Sequence, residues 1–320
     1  MLSIVAPIFA VIFAGYLFAK WRVVDKAGTR LLNEYVLYVA LPALLFIAVA
    51  RADPAELQQW SFMGATLIGI AVAFVLGLGA AWMGGTRLPQ VAIPAMAASY
   101  GTTGYMGVPL LISTLGAAAA VPAAIATILH NIPVIITVIL VHDIMARRGG
   151  ESGEKGGALK AFATALKATL TNPLTVAVVA GVAVSVLRLD MPDAFDRFAG
   201  FLGAAAGPTA LFALGLGLAQ LDASALLNRK LLAPILPLMV IKVAIQPAAT
   251  FVAGVYLFGM AVTDAWFVAA LIMAAQPIGA GVYVFASKYQ HFEDETSVAI
   301  IASLLVTLVT LPILLALYAG

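Results

Sequence analysis

Five residues of this chain recur without a gap at a spacing of 166. Pro7, Gly15, Arg22, Pro42 and Phe46 reappear as Pro173, Gly181, Arg188, Pro208 and Phe212. A spacing kept over forty residues marks an internal duplication, and a duplicated chain must fold as two like halves. The halves must also suit a membrane. Of the 320 residues, 63% are hydrophobic and only 10% charged, and the mean hydropathy is +1.07. Soluble domains carry about 25% charged residues. Duplicated halves in a membrane chain are the mark of secondary transporters, whose sites lie where the repeats meet.

Hydrophobic runs bounded by charge or Gly/Pro clusters predict ten helices, near 2–20, 30–50, 60–84, 92–116, 121–146, 164–188, 194–220, 231–258, 264–288 and 296–319. The expected fold is therefore an all-α polytopic membrane protein. A first five-helix repeat takes residues 1–146, a cytoplasmic linker 147–163, and a second repeat 164–320. The linker reading rests on RRGGESGEKGGALK, Arg147 to Lys160, which is Gly-rich, charged and without apolar period. Five is an odd number, so the second repeat enters from the opposite side and is inverted. Basic residues set the orientation. Arg51, Arg188 and Arg197 fall in the loops on one side and Lys242 falls inside a helix. The other thirteen of the seventeen Lys and Arg fall in the opposite loops. That bias puts both termini on the non-cytoplasmic side of the inner membrane.

Two of the expected helices are broken at their centres. The fourth carries Gly101, Gly104, Gly107 and Pro109 within nine residues, and the ninth carries Gln276, Pro277, Gly279 and Gly281. Proline removes a backbone donor and glycine loosens the turn. In lipid the freed groups survive only beside protein or a wet cavity. Equivalent breaks in two inverted halves point to a shared site. There, helix N-termini favour anions and free carbonyls favour cations.

The runs ASYGTTGYMGVPLL, LPALLF, PTALFALGLGLA and QPIGAGVYVFASKY resemble the auxin efflux carrier family over essentially the whole chain. That family includes plant auxin exporters and bacterial malate or malonate permeases. The resemblance implies a scaffold part and a transport part, crossover helices four and nine, and organic-anion transport. Bile-acid sodium symporters share the architecture. Where the family pattern has Asn before the Thr-Gly of helix four, this sequence has Thr102, whose hydroxyl offers one donor where an amide offers two.

The substrate-binding candidates are Gly101, Thr102, Thr103, Gly104, Tyr105, Gly107 and Pro109 from helix four. Helix nine adds Gln276, Pro277, Gly279 and Gly281. Supporting or coupling candidates are Lys242, His130, Asn131, Pro42 and Pro208. Lys242 falls near the midplane, where charges are costly; it either snorkels, is neutral or reaches backbone carbonyls, or it supports or attracts the substrate anion. His130 either carries a proton or bonds a neighbouring helix. Asn33 and Glu34 read as the solvated start of helix two, and His142 and Asp143 as a solvated exit.

No H-E-x-x-H, G-x-S-x-G or P-loop motif occurs, so no enzyme is expected. No cofactor or metal is called for, and the chain has no cysteine. Expected partners are a small organic anion, the lipid bilayer and a coupling proton or sodium ion, with no nucleic acid. A homodimer is compatible with this reading. The rival readings are a sodium-coupled symporter of the bile-acid type and, from another class, a channel or membrane sensor.

Overall fold

The computed structural model describes residues 2–148, 163, 166–167, 171–220 and 228–318, with side chains at 2–6, 9 and 143–148 excepted. The expected linker lies almost wholly outside the described residues, as do the first turns expected of the sixth helix and the side chain of Asp143. Among the described residues all regular structure is helical. The helices are α1 (Leu2–Lys20), α2 (Lys26–Ala50), α3 (Trp60–Met83), α4a (Ala92–Ser99), α4b (Thr103–Leu115) and α5 (Ala120–Arg148). They continue with α6 (Pro173–Val186), α7 (Asp193–Leu218), α8 (Arg229–Leu257), α9a (Ala265–Ala274), α9b (Gly281–Lys288) and α10 (Glu293–Tyr318).

Six helices among the described residues are long and apolar enough to cross a membrane: α2, α3, α7, α8, α10 and the stretch Ala117–His142. Four shorter apolar helices accompany them, Ala10–Lys20, Thr103–Leu115, Pro173–Val186 and Ala265–Ala274. Two of the four are halves of the broken helices. The chain is thus an integral, polytopic membrane protein.

The Arg, Gly and Phe pairs of the recurrence occupy matching places. Arg22 and Arg188 both take the left-handed conformation, with φ of 58° and 49°. Each closes its helix with the same bonds. Arg22 N donates to Ala19 O and Val23 N to Phe18 O, while Arg188 N donates to Ser185 O and Leu189 N to Val184 O. This is a Schellman ending, which satisfies the last carbonyls of a helix. Gly15 and Gly181 sit where helices touch. A Cβ on Gly15 would stand 2.1 Å from Phe212 O, and one on Gly181 2.9 Å from Phe46 O. So α1 packs on α7 as α6 packs on α2, with the two members of each recurring pair exchanging roles.

Prolines shape the helices from within. Three of the four wide, π-type turns among the described residues share a sequence feature, those at Val36–Ala40, Thr103–Gly107 and Ile241–Ile245; the fourth is Ala253–Leu257. The three differ from it in what comes next. Each is followed, two residues on, by a proline: Pro42, Pro109 and Pro247. Proline cannot donate to the ladder and its ring crowds the carbonyl four residues back. A wider turn relieves both problems without ending the helix.

The start of α2 corrects one expectation. Asp25 caps it, accepting from Gly28 N at 2.7 Å, so the helix begins at Lys26. Asn33 and Glu34 therefore lie two turns inside it rather than at its start. Glu34 accepts from Arg30 Nε at 2.8 Å, and both are exposed. His142 is corrected too. It is buried and stacks on Tyr289 with ring centroids 3.7 Å apart, because α5 continues past it under the end of α9b.

Candidate functional site

The two breaks meet. Gly101 pairs with Ile278 as an isolated antiparallel bridge. Thr102 N donates to Pro277 O at 2.9 Å, and Gly279 N donates to Tyr100 O at 3.0 Å. Backbone groups freed by one break are thus satisfied by the other, as lipid requires. The Tyr100 ring lies against Gly279 and Gly281. A Cβ at either would come within 2.7 to 2.8 Å of it, which is why this approach needs glycine. From α10, Ser303 Oγ accepts from Ile278 N at 3.0 Å.

Four half-helix ends converge at this bridge, and their polarity is sorted. The N-termini of α4b and α9b open onto a cavity of about 820 Å³, with Thr103, Gly104 and Tyr105 on one wall and Ala280 and Gly281 on another. First-turn N–H groups have no acceptor within their helix, so this wall is electropositive. The C-termini point elsewhere, into α8. Lys242 Nζ donates to Ala274 O at 2.6 Å, and Gln246 Nε2 donates to Ser99 O at 3.2 Å. One face of α8 therefore serves the last carbonyls of both α9a and α4a. Both side chains are fully buried.

The candidates divide accordingly. Gly101, Thr102, Thr103, Gly104, Tyr105, Pro277, Gly279, Gly281 and Asn131 line the cavity. Thr102 is committed to the crossing, its hydroxyl donating to Ile278 O at 3.2 Å. Thr103 is 1% exposed and its Oγ1 has no partner among the described residues, as is true of Asn131 Oδ1. Tyr105 donates its hydroxyl to Asn33 Oδ1. The structure does not bring Gly107, Pro109, Gln276, Lys242, His130, Pro42 or Pro208 to the cavity wall. Gln276 turns back on its own helix, its Nε2 donating to Ile272 O at 2.9 Å. Pro109 is buried in the first turns of α4b, and Gly107 faces Met273. The Nδ1–H of His130 donates to Ala126 O at 2.9 Å, and Nε2 has no partner among the described residues. Pro42 lies beyond the wide turn of α2 and Pro208 lies two residues into the second segment of α7.

Other cavity-lining residues escaped the sequence reading. Lys26, Thr29, Arg30 and Gln220 lie at or near helix ends in the sequence reading and Asn172 inside the expected sixth helix, yet all line this space. Gln220 Nε2 donates to Thr29 Oγ1 at 2.7 Å, tying the end of α7 to α2. The available signal was polar residues four apart on α2, at 26, 30 and 34 with 29 and 33, which mark one helix face. Among the described residues no group of His, Asp or Glu could hold a metal ion.

Comparisons with known proteins agree with a transporter. The chain is 30% identical over 314 residues to a protein of Rhizobium meliloti (strain 1021) named "Putative malonate transporter", covering 96% of this chain and 92% of the relative. It is 26% identical over 222 residues to the "Uncharacterized transporter YfdV" of Escherichia coli (strain K12), with 67% of each chain covered. The family model described as "Membrane transport protein" matches residues 1–315. A whole-length match of this kind, on a polytopic helical chain with crossed broken helices, identifies the protein as a member of the membrane transport protein family, the auxin efflux carriers.

Proposed function

We propose that this chain is a secondary transporter of small dicarboxylate anions of the malonate type, working by alternating access. Ten spans form two inverted five-helix repeats. Helices α1, α2, α6 and α7 serve as scaffold, and the crossover of α4 and α9 is carried by the rest. The matched contacts of Gly15 and Gly181, and the matched endings at Arg22 and Arg188, support the two-fold relation. The bias of basic residues supports both termini lying outside the cytoplasm.

The observation that carries the substrate class is the sorted polarity at the bridge. Both half-helix N-termini face the cavity, beside the unpartnered Thr103 hydroxyl. A carboxylate is the ligand that accepts from such groups. Lys26 and the Arg30–Glu34 pair at the same cavity leave one net positive charge. That charge suits a second carboxylate and draws anions toward the opening. On the proposed topology this opening faces the cytoplasm.

The test is uptake of radiolabelled malonate into liposomes holding the purified protein. Saturable uptake that accelerates when unlabelled malonate is preloaded is expected of a carrier. Linear, non-saturating flux would instead show a channel. No binding or flux with any mono- or dicarboxylate would overturn the reading.

A further inference from the structure

Two side chains meet at the cavity from parts that alternating access must separate. Tyr105 belongs to the first turns of α4b, and Asn33 to α2. The Tyr105 hydroxyl donates to Asn33 Oδ1. Both residues are half-buried, and both line the cavity. By contrast, Arg51–Asp196 and Gln220–Thr29 join the scaffold to itself, and Gln246–Ser99 joins α8 to α4a. Beside Tyr105, α4b meets the scaffold through an apolar contact. A Cβ on Gly104 would stand 2.6 Å from Leu174 Cδ1 of α6. Apolar contact is non-directional, whereas a hydrogen bond weakens steeply once its distance or angle is lost. Sliding of α4b along α2 must break the bond to Asn33, while apolar contact can be traded for apolar contact.

The bond also stands where an anion arrives. Tyr105 follows Thr103 by two residues, in the same wide turn, Thr103–Gly107. A carboxylate held at this helix end shares the cavity with the Tyr105 hydroxyl. A phenol has one proton to donate, so it serves either Asn33 or an anion. The charged acceptor makes the stronger bond, by roughly a factor of two over a neutral one. An arriving anion thus replaces Asn33 as the acceptor and leaves α4b untied from α2.

We propose that the Tyr105–Asn33 hydrogen bond is a latch released by substrate. It holds the empty carrier with this cavity open, so that the protein exchanges one carboxylate for another faster than it carries out net transport. This rests on the alternating-access reading and adds which residues restrain the empty protein. In the loaded protein the latch is undone and the transport part moves. Without an anion, the return step must break the bond with nothing to replace it. Net flux needs that empty return, and exchange does not. Asn33 is a positioning residue, acting on the anion through Tyr105.

The first measurement uses Asn33→Leu, which keeps the shape and removes the acceptor while leaving the Tyr105 hydroxyl in place. Malonate uptake into liposomes is compared with and without unlabelled malonate inside. The ratio of exchange to net uptake should fall about two- to tenfold, the effect expected of one hydrogen bond. Tyr105→Phe should lower the ratio as well, and the double variant should lower it no further than Tyr105→Phe alone. An unchanged ratio in Asn33→Leu, or additive effects in the double variant, would overturn the proposal. The second measurement needs no substrate. Ala280 is exposed at the cavity wall, and the chain has no cysteine of its own. Ala280→Cys should react with an impermeant maleimide applied from the side on which the cavity opens. Adding Asn33→Leu or Tyr105→Phe should slow that reaction, because the open form is then less populated. Equal rates in all three proteins would refute the latch whether or not malonate is carried. If Asn33→Leu does not fold, Tyr105→Phe, which removes one oxygen, carries both measurements. If malonate is neither bound nor moved by any of these proteins, the proposed substrate fails and the labelling still decides the latch.

Discussion

Neighbouring threonines at the first break have different work. Thr102 spends its hydroxyl on the carbonyl of Ile278, across the bridge. Thr103 is buried at the cavity wall with a hydroxyl that bonds nothing among the described residues. A buried donor of that kind is costly unless a ligand or water takes it up. Thr103→Val keeps the volume and removes the hydroxyl. It should weaken malonate binding by about 1–3 kcal/mol, roughly five- to a hundredfold, with little change in unfolding temperature. Gln276→Leu should do the reverse. Its amide bonds its own helix at Ile272, so the change belongs to stability, and malonate affinity should be retained. Binding of radiolabelled malonate to folded protein, run beside thermal unfolding, separates the two. Equal affinity in Thr103→Val and wild type would move the carboxylate contact to Asn131 or to the α9b end.

At the scale of helices, the 166-residue recurrence is a pair of close approaches. α1 meets α7 at Gly15, and α6 meets α2 at Gly181. The facing backbone is in each case that of a recurring phenylalanine, Phe212 or Phe46. Each phenylalanine also stacks edge-on against another ring, Phe212 on Phe18 and Phe46 on Phe195. Neither glycine leaves room for a methyl group, but the two are not equally tight. A Cβ would stand 2.1 Å from backbone oxygen at Gly15 and 2.9 Å at Gly181. Gly15→Ala should therefore lower the unfolding temperature more than Gly181→Ala. Overpacking of this kind costs about 1–3 kcal/mol. A reversed order, or no effect at Gly15, would mean that these helices slide apart easily and that the matched contacts do not hold the scaffold.

For the molecule as a whole, the absence of cysteine from the sequence makes topology directly measurable. On the inverted-repeat reading, the loops after α1, α3 and α9b share one side of the membrane. The loops after α2 and α6 share the other. Single cysteines at Thr86 and Gln290 should react with an impermeant reagent only after the cells are opened. Cysteines at Asp53 and Asp190 should react in intact spheroplasts. The Asp190 result is the decisive one, because parallel repeats would put its loop on the same side as Thr86. Labelling there only in opened cells would refute the inversion.

The sequence by itself determined the solvent, the helices and the places where they break. Each is a local matter: hydrophobic run length, charge at the ends, and Gly and Pro inside. It also held the 166-residue recurrence, whose glycine, arginine and phenylalanine pairs make matching contacts in the folded chain. It could not say what Arg22 and Arg188 do. They read as loop charges, and only the coordinates make them left-handed helix ends. Nor could it place Asn33, because the cap at Asp25 starts α2 a turn early and carries Asn33 inward to Tyr105. Tertiary structure alone decided which breakpoint groups face the cavity and which face α8. That choice depends on crossing two chain segments 177 residues apart at Gly101 and Ile278. No local pattern records it. The same crossing sends Lys242 to a helix end and away from the anion, and holds Gln276 behind the wall that its position in the sequence appeared to line.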